Sequence, residues 1–250
     1  MEYGLIGKTL GHSYSKIIHG MIGDYSYELV SLPEEALDRF LREKQFRGIN
    51  VTIPYKKAVI PYCDSLSPEA ARIGSVNTVV NRKGRLFGYN TDYDGFLYLA
   101  NRTGISFSDA RVVILGSGGT HLTAAAVAAD NGASEIVTVS RSGPVTYERL
   151  RRDYRNCDIL VNTTPVGMYP DTEGCPVDIA DFTALRGVLD VIYNPVKTVL
   201  VRQAEALGIP AACGLPMLIV QAVRASELFF DIKYPEDMSE NIYESFIKHM

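Results

Sequence analysis

Residues 111–132 read RVVILGSGGTHLTAAAVAADNG, and no other stretch constrains the fold as tightly. Aliphatic and β-branched residues make a buried strand, which breaks at Gly116-Ser117-Gly118-Gly119 before an alanine-rich helix opens. Glycines permit a tight turn and a close approach of backbone to a pyrophosphate, and the N–H groups of a helix N-terminus meet the anion. The stretch is therefore expected to start a dinucleotide-binding βαβ unit, with Gly116, Ser117, Gly118 and Gly119 as the phosphate turn. The sixth motif position, where close helix–strand packing favours a small residue, is His121. The alternative is a tight strand–helix turn that holds no ligand.

The end of the second strand distinguishes the nucleotides. An acid there suits the ribose hydroxyls of NAD, and a cation suits the 2′-phosphate of NADP. IVTVSRSG supplies Ser140, Arg141 and Ser142 and no acid. Arginine can hold a phosphate through paired N–H donors, with serine hydroxyls adding contacts. NADP(H) is the expected cofactor, against the alternative of an ordinary surface arginine.

The rest of the chain alternates strand and helix. Strands are expected at residues 3–6, 25–30 and 48–53, with a polar loop at 7–20 and helices at 33–44 and around 56–63. Residues 75–82 and 85–89 form a hairpin turned at Arg82-Lys83-Gly84, and a helix starts at Asp92. Residues 101–109 read as a surface connection. A second βα series follows, with strands at 111–115, 136–140, 158–162, 188–191 and 210–212, and closing helices run from Pro216 onward. The fold class is α/β: two domains with mainly parallel sheets and helices on their faces.

Composition excludes other classes. The chain is 46% hydrophobic and 22% charged with a formal charge of −4, which gives no reason to expect nucleic acid or a membrane surface as partner. Arg149, Arg151, Arg152 and Arg155 read as a solvated helix face. No apolar run of about 18 residues and no signal peptide is visible, so a cytoplasmic protein is expected. Cys63, Cys157, Cys175 and Cys213 are scattered, and His12, His19, His121 and His249 follow no ligand spacing, so neither disulfides nor a metal site are expected.

Polar residues gather where first-half strands end. Ser13, Ser15, Thr52, Asn77 and Thr91 stand at positions able to converge on a polyhydroxylated ligand, because the crevice of an open α/β sheet lies at the carboxyl ends of its strands. Singly, each also suits a turn or cap. Lys56 and Asp92 add reactive chemistry. A hydride leaving an alcohol carbon requires the hydroxyl proton to leave as well, and an ammonium can polarise the carbonyl in the reverse direction. The alternative is an exposed salt bridge worth about 0–1 kcal/mol.

The ordered segments GHSYS, GINVTIPYK, GSVNTV, GYNTDYDG, LGSGG, NTTPVGM, DVIYNP and GLPMLIVQA resemble the shikimate dehydrogenase family over nearly the whole chain. That family reduces 3-dehydroshikimate to shikimate with NADPH, on the route to aromatic amino acids. The resemblance implies a substrate-binding α/β domain over residues 1–100, completed by helices in 216–250. It implies a Rossmann-like NADP-binding domain over 101–215, with the active site in the cleft between them. It makes Lys56 and Asp92 the catalytic pair, and Ser13, Ser15, Thr52, Asn77 and Gln221 contacts to substrate, with Tyr193 lining the same cleft. Gly116, Ser117, Gly118 and Gly119 become the pyrophosphate turn, and Arg141, flanked by Ser140 and Ser142, the 2′-phosphate site. Thr163, Gly214 and Met217 fall in loops beside the nicotinamide. A small-molecule substrate and a monomer or homodimer are implied.

The chain departs from the family pattern at four places. Lys16 replaces a proline after HSYS, Thr120-His121-Leu122 replaces small residues and a basic one, Val145 stands where a second arginine is common, and residues 140–154 are trimmed. These leave two alternatives: a dehydrogenase of the same lineage that prefers quinate or NAD, and a binding protein that has lost productive cofactor binding.

Overall fold

The computed structural model describes residues 1–10 and 13–249. It divides into two compact units, Met1–Asp94 with Ile219–Met250, and Gly95–Leu218. Among the described residues no helix is long and apolar enough to cross a membrane.

The first unit is built on a six-stranded sheet in the order β2-β1-β3-β5-β6-β4. Its strands are β1 (Tyr3–Gly7), β2 (Tyr27–Ser31), β3 (Gly48–Val51), β4 (Ser65–Leu66), β5 (Thr78–Arg82) and β6 (Arg85–Tyr89). β1 pairs in parallel with β2 and β3, whereas β5 runs antiparallel to both β3 and β6. This mixture decides where the site falls. The carboxyl ends of β1 and β3, the start of β5 and the end of β6 all reach the same edge of the sheet, with Asn50 opposite Thr78 and Thr78 opposite Tyr89.

Helices α1 (Ser15–Ile22), α2 (Glu34–Glu43) and α3 (Pro68–Ile73) belong to this unit. α2 buries Leu37 and Leu41, one turn apart, carries Glu34 and Glu35 in its first turn, and stops at Lys44 in the left-handed region. The core gathers Ile6, Leu41, Ile49, Tyr55, Val59, Val79 and Leu86. Helix α4 (Asp92–Arg102) begins in this unit.

The second unit has a five-stranded, wholly parallel sheet. Its order is β11-β10-β9-β7-β8, from β7 (Arg111–Leu115), β8 (Glu135–Val139), β9 (Ile159–Asn162), β10 (Gly187–Asp190) and β11 (Ala211–Ala212). Helices α5 (Gly119–Asp130), α6 (Tyr147–Asp153) and α7 (Val199–Ala206) connect the strands. β7, β9 and β10 are buried on both faces, which is why they read as unbroken apolar runs. Helices α8 (Leu215–Phe230) and α9 (Met238–Lys248) end the chain.

Three expectations change. The polar loop at 7–20 contains α1, whose buried face is Ser15, Ile18, His19 and Ile22; two polar residues on that face hide its helical period. The helix expected around 56–63 is a series of turns ending in one 3-10 turn, Ile60–Tyr62, since Pro61 supplies no N–H to a longer helix. The connection at 101–109 is not purely a surface segment: α4 runs on to Arg102, and Ile105 and Phe107 are buried.

Candidate active site

In the first unit β3 ends at Val51, and Thr52, Tyr55 and Lys56 follow at the sheet edge. Backbone bonds lock this corner: Thr52 N–H donates to Ile6 O, Tyr55 N–H to Thr52 O, and Val76 N–H to Lys56 O, at 2.9, 2.9 and 2.8 Å. The Tyr55 ring is buried and its hydroxyl donates to Leu32 O at 2.5 Å. With the turn anchored from below, Lys56 Nζ donates to Asp92 Oδ2 at 2.6 Å. The two side chains are 12% and 10% exposed, so this is not the solvated pair of the alternative reading. Asp92 is the first residue of α4, where the helix dipole favours an anion.

Asn77 precedes β5 and is buried. Its Oδ1 accepts from Thr91 N–H at 2.7 Å, and its Nδ2 donates to Thr91 Oγ1 at 3.0 Å and lies 3.4 Å from Gln221 Oε1. The structure therefore joins Lys56 to Asp92 and Asn77 to Gln221 through adjoining segments. Ser13, Ser15 and Thr52 are joined to neither group by a hydrogen bond among the described residues. Ser15 N–H donates to Ser13 Oγ at 3.2 Å, and the Ser15 and Thr52 hydroxyls are left with no partner among the described residues. Gly11 and His12 of the GHSYS stretch lie outside the described residues.

In the second unit Gly116 takes φ +103°, and a Cβ there would sit 2.9 Å from Thr163 Oγ1. Thr163 is held in place by two bonds to Leu115 O, from its N–H at 2.9 Å and its hydroxyl at 2.7 Å. Gly116→Ala is expected to lose about 2 kcal/mol of stability, since the left-handed conformation and the contact penalise any Cβ together. An unchanged melting temperature would show that this turn relaxes freely.

A Cβ on Gly118 would meet nothing within 4 Å, so the turn is open on that side, and Gly118 caps α5 with Ser117 exposed beside it. His121 does not disturb the fold: its ring lies over the Gly118 carbonyl, with Nδ1 donating to that oxygen. Arg141 and Ser142 are exposed in the loop after β8, Ser140 is half-buried, and Arg141 forms no hydrogen bond or ion pair with a described residue. A second cation, read from the sequence only as part of a solvated helix face, reaches the same loop: Arg149 Nη1 donates to Pro144 O at 3.3 Å, although its Nε binds Asp153. Open turn and unpaired guanidinium together fit a dinucleotide with a 2′-phosphate.

One further carboxyl organises this end of the sheet. Asp190, fully buried, accepts from Ile192 N–H, Asn162 Nδ2 and the Thr198 hydroxyl at 3.0, 3.1 and 2.8 Å. Burial pushes its pKa up to about 6, against the pull of those donors. Its bonds fix the segment carrying Tyr193, which is half-buried, and Gly214 N–H closes on Ile192 O at 2.7 Å. Any side chain at Gly214 would run into the Val191 carbonyl. Met217 is buried in α8.

Known proteins resemble this chain over most of its length. The model of the shikimate dehydrogenase substrate binding domain matches residues 5–79. The shikimate dehydrogenase (NADP(+)) of Halothermothrix orenii is 38% identical, covering 92% of this chain and 91% of its own. Shikimate dehydrogenase 1 from Peptoclostridium difficile superposes with a TM-score of 0.90 at 33% identity, over 98% of each chain. The Thermus thermophilus shikimate 5-dehydrogenase, solved with NADP(H) and shikimate, gives 0.85 at 32% identity over 98% of this chain and 99% of its own. On identity that extends over nine-tenths of its length, the chain belongs to the shikimate dehydrogenase family.

Proposed function

We propose that this chain interconverts 3-dehydroshikimate and shikimate with NADP(H), and that Lys56 and Asp92 handle the proton. The observation that carries the reading is the close, nearly buried Lys56–Asp92 pair at the sheet edge where Asn77 bonds to Gln221 of α8. NADPH, when bound, supplies the hydride. In reduction the Lys56 ammonium gives a proton to the oxygen that becomes the alcohol; in oxidation the amine takes it back. Asp92 holds the Lys56 side chain at one angle and offsets its charge as the proton comes and goes. Asn77, Gln221, Ser13, Ser15 and Thr52 are assigned to the substrate's hydroxyls and carboxylate, and Tyr193 is assigned to the same ligand. Gly116–Gly119, Thr163, Gly214 and Met217 are assigned to the cofactor, as are Ser140, Arg141 and Ser142.

All four cysteines are free thiols, which suits a reducing compartment, and the cytoplasm is the location assigned. The catalytic pair comes from one chain, so either a monomer or a homodimer serves.

Initial rates followed by nicotinamide absorbance, with shikimate or quinate against NADP or NAD, test the reading. Turnover is expected with shikimate and NADP; a preference for quinate or NAD would reassign the specificity, and no turnover would remove it. Arg141→Ala is expected to raise KM for NADPH by about tenfold or more, the worth of a charge-assisted phosphate contact, and to leave KM for NADH within about twofold. Equal losses with both cofactors would sink the assignment of Arg141.

A further inference from the structure

Beneath Asn77 lies a column of polar side chains that the proton chemistry does not use. Tyr27, Asn50 and Thr78 are 4%, 4% and 0% exposed. Their hydrogen bonds have a definite direction. The Asn77 carbonyl can only accept, and Asn50 Nδ2 lies 3.4 Å from it and 3.0 Å from Thr78 Oγ1. That fixes the Asn50 amide with Oδ1 toward Tyr27, whose hydroxyl donates to it at 2.7 Å. Thr78 Oγ1, accepting from Asn50, directs its own proton to Asn77 Oδ1 at 3.2 Å, or reaches that oxygen by way of Thr91 Oγ1, which lies 3.3 Å from each.

Thr91 N–H, which can only donate, gives Asn77 Oδ1 its second bond at 2.7 Å. Both acceptor positions of that oxygen are then filled. Nδ2 must face the other way, with one hydrogen on Thr91 Oγ1 and the other on Gln221 Oε1 across a long 3.4 Å bond that a substrate oxygen can take over.

We infer that Tyr27, Asn50 and Thr78 form a one-way hydrogen-bond relay that presents Asn77 to the substrate as an N–H donor, so that the ligand oxygen facing it must accept. The inference rests on the substrate role proposed for Asn77. These three are positioning residues. Turning the Asn77 amide over would set Nδ2 against the Thr91 N–H and leave buried donors unpaired, which a low-dielectric site penalises heavily. A substrate hydroxyl fits the presented donor. A deoxy analogue, or one carrying an ammonium at that carbon, does not.

Thr78→Val removes the hydroxyl and keeps the shape. Calorimetric titration of shikimate into the cofactor-free protein is expected to show about tenfold weaker binding. KM for shikimate should rise by a similar factor, with kcat within about threefold and KM for NADPH unmoved. Thr78→Ser, which restores the hydroxyl, is expected to recover binding to within about twofold. Tyr27→Phe tests the far end of the relay with the same readouts and decides the matter if Thr78→Val does not fold.

A lower melting temperature with shikimate binding unchanged in the variants that fold would mean that the column merely packs, and would overturn the inference. So would a serine variant as weak as the valine. The unaltered protein separates the two claims: absence of turnover sinks the proposed reaction, whereas absence of shikimate binding sinks the relay as well.

Discussion

Lys56→Ala is expected to lower kcat for shikimate oxidation by about 10³-fold, within the range that a positioned acid–base group contributes. The amine is 2.6 Å from a carboxylate that is itself only 10% exposed, so no solvent lysine can replace it and bulk water reaches the spot poorly. KM should move much less, since Asn77 stays bonded to both Gln221 and Thr91. Removing one partner of a nearly buried ion pair also destabilises, yet Asp92 keeps the favourable field at the start of α4, so the variant is expected to fold. Circular dichroism at the assay temperature checks this.

Lys56→Arg separates two accounts of the same residue. A guanidinium keeps the charge but does not release a proton at neutral pH. If Lys56 exchanges the proton, the arginine variant is as slow as the alanine variant. If it only polarises the carbonyl, a substantial part of the rate survives. Activity of Lys56→Ala within about tenfold of the unaltered protein would remove Lys56 from the chemistry altogether.

Much of this site was legible because parallel strands place their carboxyl ends along one edge, and the polar runs at 50–57, 75–78 and 89–92 interrupt apolar strands there. The glycine-rich turn was legible for a local reason: strand, Gly116 and helix are contiguous. What escaped depends on partners far apart in the chain. Asn50 sits inside a strand, and only its bonds to Tyr27 and Thr78, 23 and 28 residues away, give it a purpose. Asp190 reads as the last residue of a strand until Asn162 and Thr198 close on it. α1 was missed because His19 and Ser15 occupy its buried face, where the hydrophobic period calls for apolar residues. Arg149 lies in the first turn of α6, and only the fold shows that it returns to the loop carrying Arg141.

His19 also leads to the second large expected effect, a loss of stability in mild acid that starts in the first unit. It is fully buried, stacked on Tyr27 with ring centroids 3.7 Å apart, and bonded through Nδ1 to the Tyr25 hydroxyl. Burial pushes its pKa down to about 3, with Asn50 opposing. In the unfolded chain the same group titrates near 6.5. Between those values the unfolded state binds a proton that the folded state refuses. Stability is therefore complete above pH 6.5 and falls as the pH drops toward 3, by about 1.4 kcal/mol for each pH unit crossed. Asp38, held low by the Tyr62 hydroxyl, and Asp64, held low by the Leu86 N–H, act only at more acid pH.

Asp190 runs the other way in the second unit. Its carboxyl keeps a proton up to about pH 6 when folded and only to about 3.9 when unfolded, so its contribution is fully present in acid and disappears as pH rises through 6. Acidification from neutrality to pH 5 should thus weaken one unit and strengthen the other. Hydrogen exchange, corrected for intrinsic rates, reads them separately. Protection of β1 and β3 amides is expected to fall over this interval, while that of β9 and β10 holds or rises. In His19→Phe, which keeps the stacking and cannot titrate, the fall should vanish; a slope that persists would place the acid sensitivity elsewhere in the first unit.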